Sequence, residues 1–244
     1  MAAPQLEVRA LDKNYGSVHA LKSFDLTVNK GEVIGLIGDN GAGKSTFIKI
    51  LSGVHRPTSG AMLFDGKPQR LRSPRDAMAL GIETIYQQTA MVPSMSIMRN
   101  MFIGRELRTA GPRGFGYLDV KRMGREAVAA IADVGLHLRH PETLVRDLSG
   151  GQRQGVAIAR AMHFRSRILI LDEPTNHLSV KETLKVLEYV ERAKAQSITC
   201  IFISHNLHHV EQVADRIVAM ARGRKVADQP VHELSVDRMI DLIG

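Results

Sequence analysis

Three stretches of the chain are apolar almost without interruption: 33–37, 168–171 and 198–203. Runs of this length, rich in β-branched residues and bounded by turn signals, predict strands covered on both faces, as in a parallel sheet. A fourth, 82–86, ends on Gln87-Gln88. Residues 6–11 and 24–28 alternate apolar and polar positions instead, which predicts half-exposed antiparallel strands with a loop over 13–18 between them. Residues 61–64 run into Asp65-Gly66, a hairpin turn, and 216–228 read as an edge hairpin turning at 221–224. Helical spacing sets in after Lys44, over 73–81 (Ser73 cap, Pro74, Gly81), over 119–134 with Met123, Ala127, Ile131 and Val134 on one face, and over 149–161. It returns after the capping box of Ser179 and Glu182, with Leu184, Leu187 and Val190 on one side, and after Ser235, with Met239, Ile240 and Ile243. Strands and helices alternate as in an α/β protein with a mixed sheet and an antiparallel β edge. Residues 91–147 have a different texture and read as a helical insertion within one domain spanning 1–244.

The chemistry sits at the ends of these strands. The run at 33–37 opens into Gly38-Asp39-Asn40-Gly41-Ala42-Gly43-Lys44-Ser45-Thr46 and then a helix. This is the phosphate-binding loop, G-x-x-x-x-G-K-[ST]: glycines let backbone amides turn toward a polyphosphate, and the helix start adds unpaired amides and partial positive charge. Such a loop marks the core of a P-loop nucleotide hydrolase. Lys44 reaches the β- and γ-phosphates there, and the Ser45 hydroxyl holds Mg²⁺. Asp172 follows four apolar residues, the context of an acid that holds Mg²⁺ opposite the loop. Glu173, one residue on, is free of that duty and is the candidate to take a proton from attacking water. Gln87 could orient water or ligate the metal, and His205 could touch the γ-phosphate. In an open α/β sheet ligands sit beyond the carboxyl ends of the strands, so all of these point to one place. Ser149-Gly150-Gly151-Gln152 is a second glycine-rich helix start and a second potential phosphate site.

Composition narrows the picture modestly. Lys and Arg number 33 against 25 Asp and Glu, a formal net charge of +8, compatible with ATP, an anionic membrane face or nucleic acid. With no Trp and 5% aromatic residues, stacking platforms for single strands are in short supply, and no nucleic-acid partner is expected. No apolar run approaches membrane-spanning length and the first residues lack a secretory pattern, which predicts a cytosolic protein. The lone Cys200 lies in an apolar strand pattern and reads as a packing residue.

The phosphate loop, Gln87, the pentapeptide 148–152, the Asp172-Glu173 strand and His205, in this order over nearly the whole chain, resemble the ATP-binding subunit of an ABC (ATP-binding cassette) transporter. The resemblance implies a Mg²⁺-dependent ATPase in which Tyr15 stacks on adenine. It implies too that Ser149, Gly150, Gly151 and Gln152 of one chain close over ATP held by another. The second cassette is then a second copy or a sister cassette. The inserted helices would dock on transmembrane permease subunits near Gln87, at the inner face of the cell membrane, with a solute-binding protein acting indirectly. The loop, Ile103-Gly104-Arg105-Glu106 and residues 149–157 are similar to importers of monosaccharides such as ribose, xylose or fructose. Asp172-Glu173-Pro174-Thr175-Asn176-His177-Leu178 also resembles cassettes that act on ribosomes, the alternative. The family usually has Asp where this chain has Ser179. That Asp contacts the opposite subunit; Ser caps a helix as Asp does, and the cross-subunit contact is the property at stake.

Overall fold

The computed structural model describes residues 4–86, 91–111, 116–138 and 140–243. Strands β1 (Leu6–Tyr15) and β2 (Val18–Val28) form a long hairpin, followed by β3 (Val33–Gly38) and α1 (Lys44–Leu51). A second hairpin, β4 (Ser59–Phe64) and β5 (Lys67–Gln69), leads to α2 (Pro74–Ala79) and β6 (Ile82–Ile85). Helices α3 (Ile97–Phe102) and α4 (Val120–Asp133) precede α5 (Gly150–His163), β7 (Ile168–Asp172), α6 (Val180–Ala195) and β8 (Thr199–Ile203). The chain closes with α7 (Leu207–Val213), the hairpin of β9 (Arg216–Ala221) and β10 (Arg224–Pro230), and α8 (Val236–Ile243).

Two sheets carry these strands. One is antiparallel, in the order β2-β1-β4-β5; the other has the order β10-β9-β3-β8-β7-β6. In the second sheet β9, β3, β8, β7 and β6 run parallel, and β10 pairs antiparallel to β9. The central strands are apolar throughout because each face packs against a different layer. Ile34, Leu36, Ile168, Ile170, Ile201 and Ile203 join Phe24, Phe47 and the antiparallel sheet in one core. Val33, Ile37, Leu169, Leu171, Cys200 and Phe202 join the helices in another. Cys200 is fully buried, and burial pushes its thiol up to about 12, so it packs rather than reacts.

Local rules account for most boundaries. Ser73, Asp119, Ser149 and Ser179 cap the helices that follow them. Gly53 and Gly135, with φ of 72° and 78°, take the left-handed position after α1 and α4, where Cβ is disfavoured. Asp65 and Gly66, at φ 49° and 74°, form the tight turn between β4 and β5.

The structure departs from the sequence reading in several places. Residues 13–18 are not a loop: β1 continues to Tyr15 and β2 starts at Val18, around a two-residue turn at Gly16. Register shifts between Val8 and Leu11, Leu11 and Lys13, and Lys13 and Asn14 break the alternation that would have marked them as strand. β9 is an interior strand, with β3 on its other side, so only β10 is an edge. Leu184 and Ile240 are 54% and 52% exposed, because the buried stripe of α6 runs through Thr183, Val186, Leu187, Val190 and Ala193 and that of α8 through Met239. The short helix α3 is buried although nothing in its spacing marks it.

A Cβ on Gly35 in β3 would stand 2.3 Å from a methyl carbon of Val210 and 2.8 Å from one of Ile217. Gly35→Ala therefore lowers stability by about 1–3 kcal/mol through overpacking. Val210→Ala in the same chain returns part of that loss, read by urea unfolding. An unchanged midpoint in Gly35→Ala contradicts this packing of α7 on β3.

Candidate active site

The carboxyl ends of β3, β7 and β8 open on one cleft of about 620 Å³. It is lined by residues 39–46, by Tyr15, His19 and Lys22, and by Asp172, Glu173, His205 and Arg222. Of the sequence-predicted groups, Tyr15, Lys44, Ser45, Asp172, Glu173 and His205 thus share one cleft. Gln87 lies outside the described residues.

The loop 38–43 curls because its glycines adopt backbone that other residues avoid: φ is 152° at Gly38, 82° at Gly41 and 107° at Gly43. A Cβ at Gly38 would stand 2.4 Å from the Met220 carbonyl and one at Gly43 2.8 Å from that of Ala20, while nothing lies within 4 Å at Gly41. The first two glycines let the loop sit tightly on its neighbours, and the third leaves its amide open to a ligand. Lys44, 8% exposed, donates from Nζ to the carbonyls of Gly38 and Asp39, the latter at 3.1 Å. Burial pushes its ammonium pKa down, against the pull of Glu173, Asp39 and Asp172.

Glu173 is the strained residue of the site. It follows β7 with φ of 53°, left-handed backbone that is costly for a glutamate, about 1–3 kcal/mol, and tends to mark functional positions. Its amide donates to the Ile203 carbonyl at 3.0 Å, which aims the side chain into the cleft mouth beside β8. The carboxylate is 6% exposed; one oxygen accepts from the His205 amide at 3.3 Å. The other is buried without an aligned donor, with His205 Nε2 3.1 Å away. Burial pushes the carboxyl up, against the opposing pull of His205 and its amide. Burial likewise pushes Asp172 up, against Lys44, Lys49 and His205.

These groups fit a metal-bound nucleotide. Ser45 and Asp172 offer a hydroxyl and a carboxylate, both hard oxygen donors, on the two sides of the cleft. Among the described residues no group of three or more His, Cys, Asp or Glu could hold a metal alone. Mg²⁺ taking its other ligands from phosphates and water needs none. Tyr15, 39% exposed at the rim, has Lys13 Nζ 4.9 Å from its ring centroid and meets the His55 ring in a T-shaped arrangement with the centroids 5.5 Å apart.

Ser149 to Gln152 stand elsewhere. Ser149 caps α5 in a reciprocal box: Oγ accepts from the Gln152 amide at 3.3 Å and Gln152 Oε1 accepts from the Ser149 amide at 2.9 Å. Ser149, Gly151 and Gln152 line a separate cleft with Gly135, Glu182 and Tyr189. Within one chain they do not join Lys44.

A family model described as "ABC transporter" matches residues 21–176. The chain is 40% identical over 238 residues to the xylose/arabinose import ATP-binding protein XylG of Sulfolobus acidocaldarius, covering 98% of this chain and 93% of that protein. The chain belongs to the ABC transporter family. This cassette is also 46% identical to the fructose import ATP-binding protein FrcA of Rhizobium meliloti, covering 91% of this chain and 87% of that one. It shares its fold with cbiO1 of Clostridium perfringens, part of the ABC transporter complex cbiONQ, at a TM-score of 0.81 and 27% identity over 98% of this chain and 94% of that one. As an ABC cassette it is an ATPase, and the α/β core with its antiparallel sheet is the cassette fold.

Three residues of the cleft carry no sequence signal. His19 and Lys22 lie on the part of β2 whose alternation is broken, and Arg222 follows β9, which lies beside β3, in a turn tied by the Lys22 amide donating to the Gly223 carbonyl and the Gly223 amide donating to the Ala42 carbonyl, both at 2.9 Å.

Because burial holds protons on Asp172 and Glu173 to higher pH than in the unfolded chain, the folded state binds more protons above the ordinary values of 3.8 and 4.5. Stability then falls as pH rises through that window. Asp172→Asn and Glu173→Gln remove the cost. Each unfolds at a higher temperature than the wild type at about pH 8, and the gain shrinks toward about pH 4. A lower melting temperature for both variants at the alkaline end contradicts this.

Proposed function

We propose that this cassette binds Mg-ATP in the cleft above Lys44 and couples its hydrolysis to the import of a small solute, a monosaccharide. The convergence of Lys44, Asp172, Glu173 and His205 on one cleft carries the catalytic part of this reading. The xylose/arabinose and fructose import relatives support the solute class and favour an importer over a ribosome-associated role.

The amides of Asp39, Asn40, Gly41, Ala42 and Gly43 and the start of α1, with Thr46 in its first turn, take the phosphates. Lys44 exchanges the carbonyls of Gly38 and Asp39 for β- and γ-phosphate oxygens. Tyr15 offers its exposed ring to adenine. Ser45 and Asp172 hold Mg²⁺, which when bound neutralises phosphate charge and withdraws electrons from the γ-phosphorus. Glu173, poised by burial to hold a proton, takes one from the attacking water. The water oxygen bonds to the γ-phosphorus as the bond to the β–γ bridging oxygen breaks, leaving ADP and phosphate. His205 stands beside both Glu173 and the γ-position. Gln87 would complete the metal and water contacts.

Ser149, Gly150, Gly151 and Gln152 act in trans, from a second copy or a sister cassette. Their separation from Lys44 within one chain supports this, as do two helix starts that can flank one triphosphate. ATP then holds the two cassettes together and its hydrolysis loosens them. The permease seat is the apolar cleft of about 420 Å³ between the core and the inserted helices, walled by Val54, Met78, Ile85, Tyr86, Met91 and Ile103. No described helix is long and apolar enough to cross a membrane, so attachment to the inner face of the cell membrane runs through permease subunits, with a solute-binding protein upstream.

Glu173→Gln keeps the shape of the side chain and loses the base. It binds ATP normally, turns it over about 10²–10⁴-fold more slowly, and accumulates as an ATP-bound dimer in size-exclusion chromatography. Lys44→Ala, assayed beside it, weakens nucleotide binding roughly 10- to 100-fold. Undiminished hydrolysis in the first variant overturns the base assignment.

A further inference from the structure

The capping box at the start of α6 does more than cap. Glu182 Oε2 accepts from the Ser179 amide at 3.1 Å and from the Ser179 hydroxyl at 2.8 Å. Its other oxygen turns away from α6 and accepts from the Gly151 amide at 3.3 Å, 31 residues distant on the first turn of α5. The Ser149 hydroxyl first, then the amide and hydroxyl of Ser179 and the Gly151 amide, hold its carboxyl at about 2, so it stays ionised. The two segments pack face to face around this contact. A Cβ on Gly151 would stand 2.9 Å from Cβ of Glu182, and one on Gly150 would stand 2.5 Å from a methyl of Leu178. Backbone strain accompanies it, since His177 just upstream has φ of 59°.

The identity of residue 179 matters to this joint. A serine hydroxyl can donate, and here it donates to Glu182; an ionised aspartate only accepts. An aspartate in its place would set one carboxylate against another at hydrogen-bonding distance, displacing Glu182 from Gly151.

We propose that Glu182 is a positioning residue that locks the Ser179 segment and the first turn of α5 into one rigid body, with Ser179 as its matched donor. This rests on the reading that Ser149 to Gln152 meet nucleotide on a second cassette. The two segments offered across the dimer then move as a unit, so contact made by one is felt by the other. The serine that replaces the family's usual aspartate is compensated inside the subunit, by a donor–carboxylate pair that the aspartate would break.

The test compares Glu182→Ala, Ser179→Asp and the double variant Ser179→Asp/Glu182→Gln, in the cassette with whatever partner sustains wild-type turnover. Asp caps a helix as well as Ser does, so Ser179→Asp removes the donor and keeps the cap. In the double variant the side-chain amide introduced at position 182 donates its N–H to the carboxylate introduced at position 179, while its carbonyl accepts from the Gly151 amide. That rebuilds the joint with reversed polarity. The expected result is a fall in kcat of about tenfold or more for each single variant. ATP affinity, from nucleotide titration, stays at the wild-type value because the Lys44 cleft is separate. Melting temperatures stay within about 5 °C of the wild type, and the double variant recovers most of the lost rate. A Ser179→Asp cassette as fast as the wild type, or a double variant no faster than Ser179→Asp alone, overturns the proposal. Wild-type turnover that survives Ser149→Arg instead removes the composite site, and the proposal with it.

Discussion

A desolvated ammonium and two desolvated carboxylates share the floor of one cleft. Lys44, Asp172 and Glu173 each lose hydration on folding, and each shifts toward its neutral form. The opposite charges around each resist that shift: Glu173, Asp39 and Asp172 for Lys44, and Lys44 and His205 for the two acids. That balance depends on geometry: β3 delivers Lys44 through the glycine turn, β7 delivers the acids, and β8, between them in the sheet, delivers His205. Parallel strands align their carboxyl ends, so a sheet buried on both faces is what places four chemically different groups in one small volume. The triphosphate and hard cation proposed for this cleft, bringing charges of both signs, would complete this arrangement instead of disturbing it.

The left-handed backbone at Glu173 shows where the fold bears strain for this purpose. The turn after β7 has no glycine at that position, yet the hydrogen bond its amide donates to the Ile203 carbonyl and the carboxylate contacts to His205 hold it. Downstream, the same connection runs through Thr175, whose hydroxyl meets His209 Nδ1 at 3.1 Å, to His177, Ser179 and Glu182. The stretch from Glu173 to the joint with α5 is therefore continuous and tied at several points. On the reading proposed above, a change in what Glu173 faces would have a short covalent and hydrogen-bonded route to the α5 start.

The central strands and the phosphate loop were legible because their determinants are local. A strand covered on both faces has no polar position to confuse the pattern, and the loop's glycines, Lys44 and Ser45 are contiguous. Helix caps at Ser73 and Ser179 were legible for the same reason. What was not legible depends on elements meeting. Bulges hid the outer half of the β1–β2 hairpin and with it His19 and Lys22. The position of β9 beside β3, which brings Arg222 to the cleft, follows from sheet order alone. Leu184 fits a helical stripe by spacing, yet the layer packed on α6 sits to one side of it. The hydrogen bond from the Gly151 amide to Glu182 spans two segments that both read correctly as helix starts, and neither announces the other.

The central claim is that one catalytic site needs two chains, the phosphate loop of one and the α5 start of the other. Mixing tests it directly. Lys44→Ala spoils the phosphate loop and spares α5; Ser149→Arg does the reverse. Each variant alone has no complete site, but a mixed dimer has one, formed by the intact loop of the second and the intact α5 start of the first. Two inactive preparations are then expected to hydrolyse ATP once combined. A mixture as inactive as its components contradicts the claim.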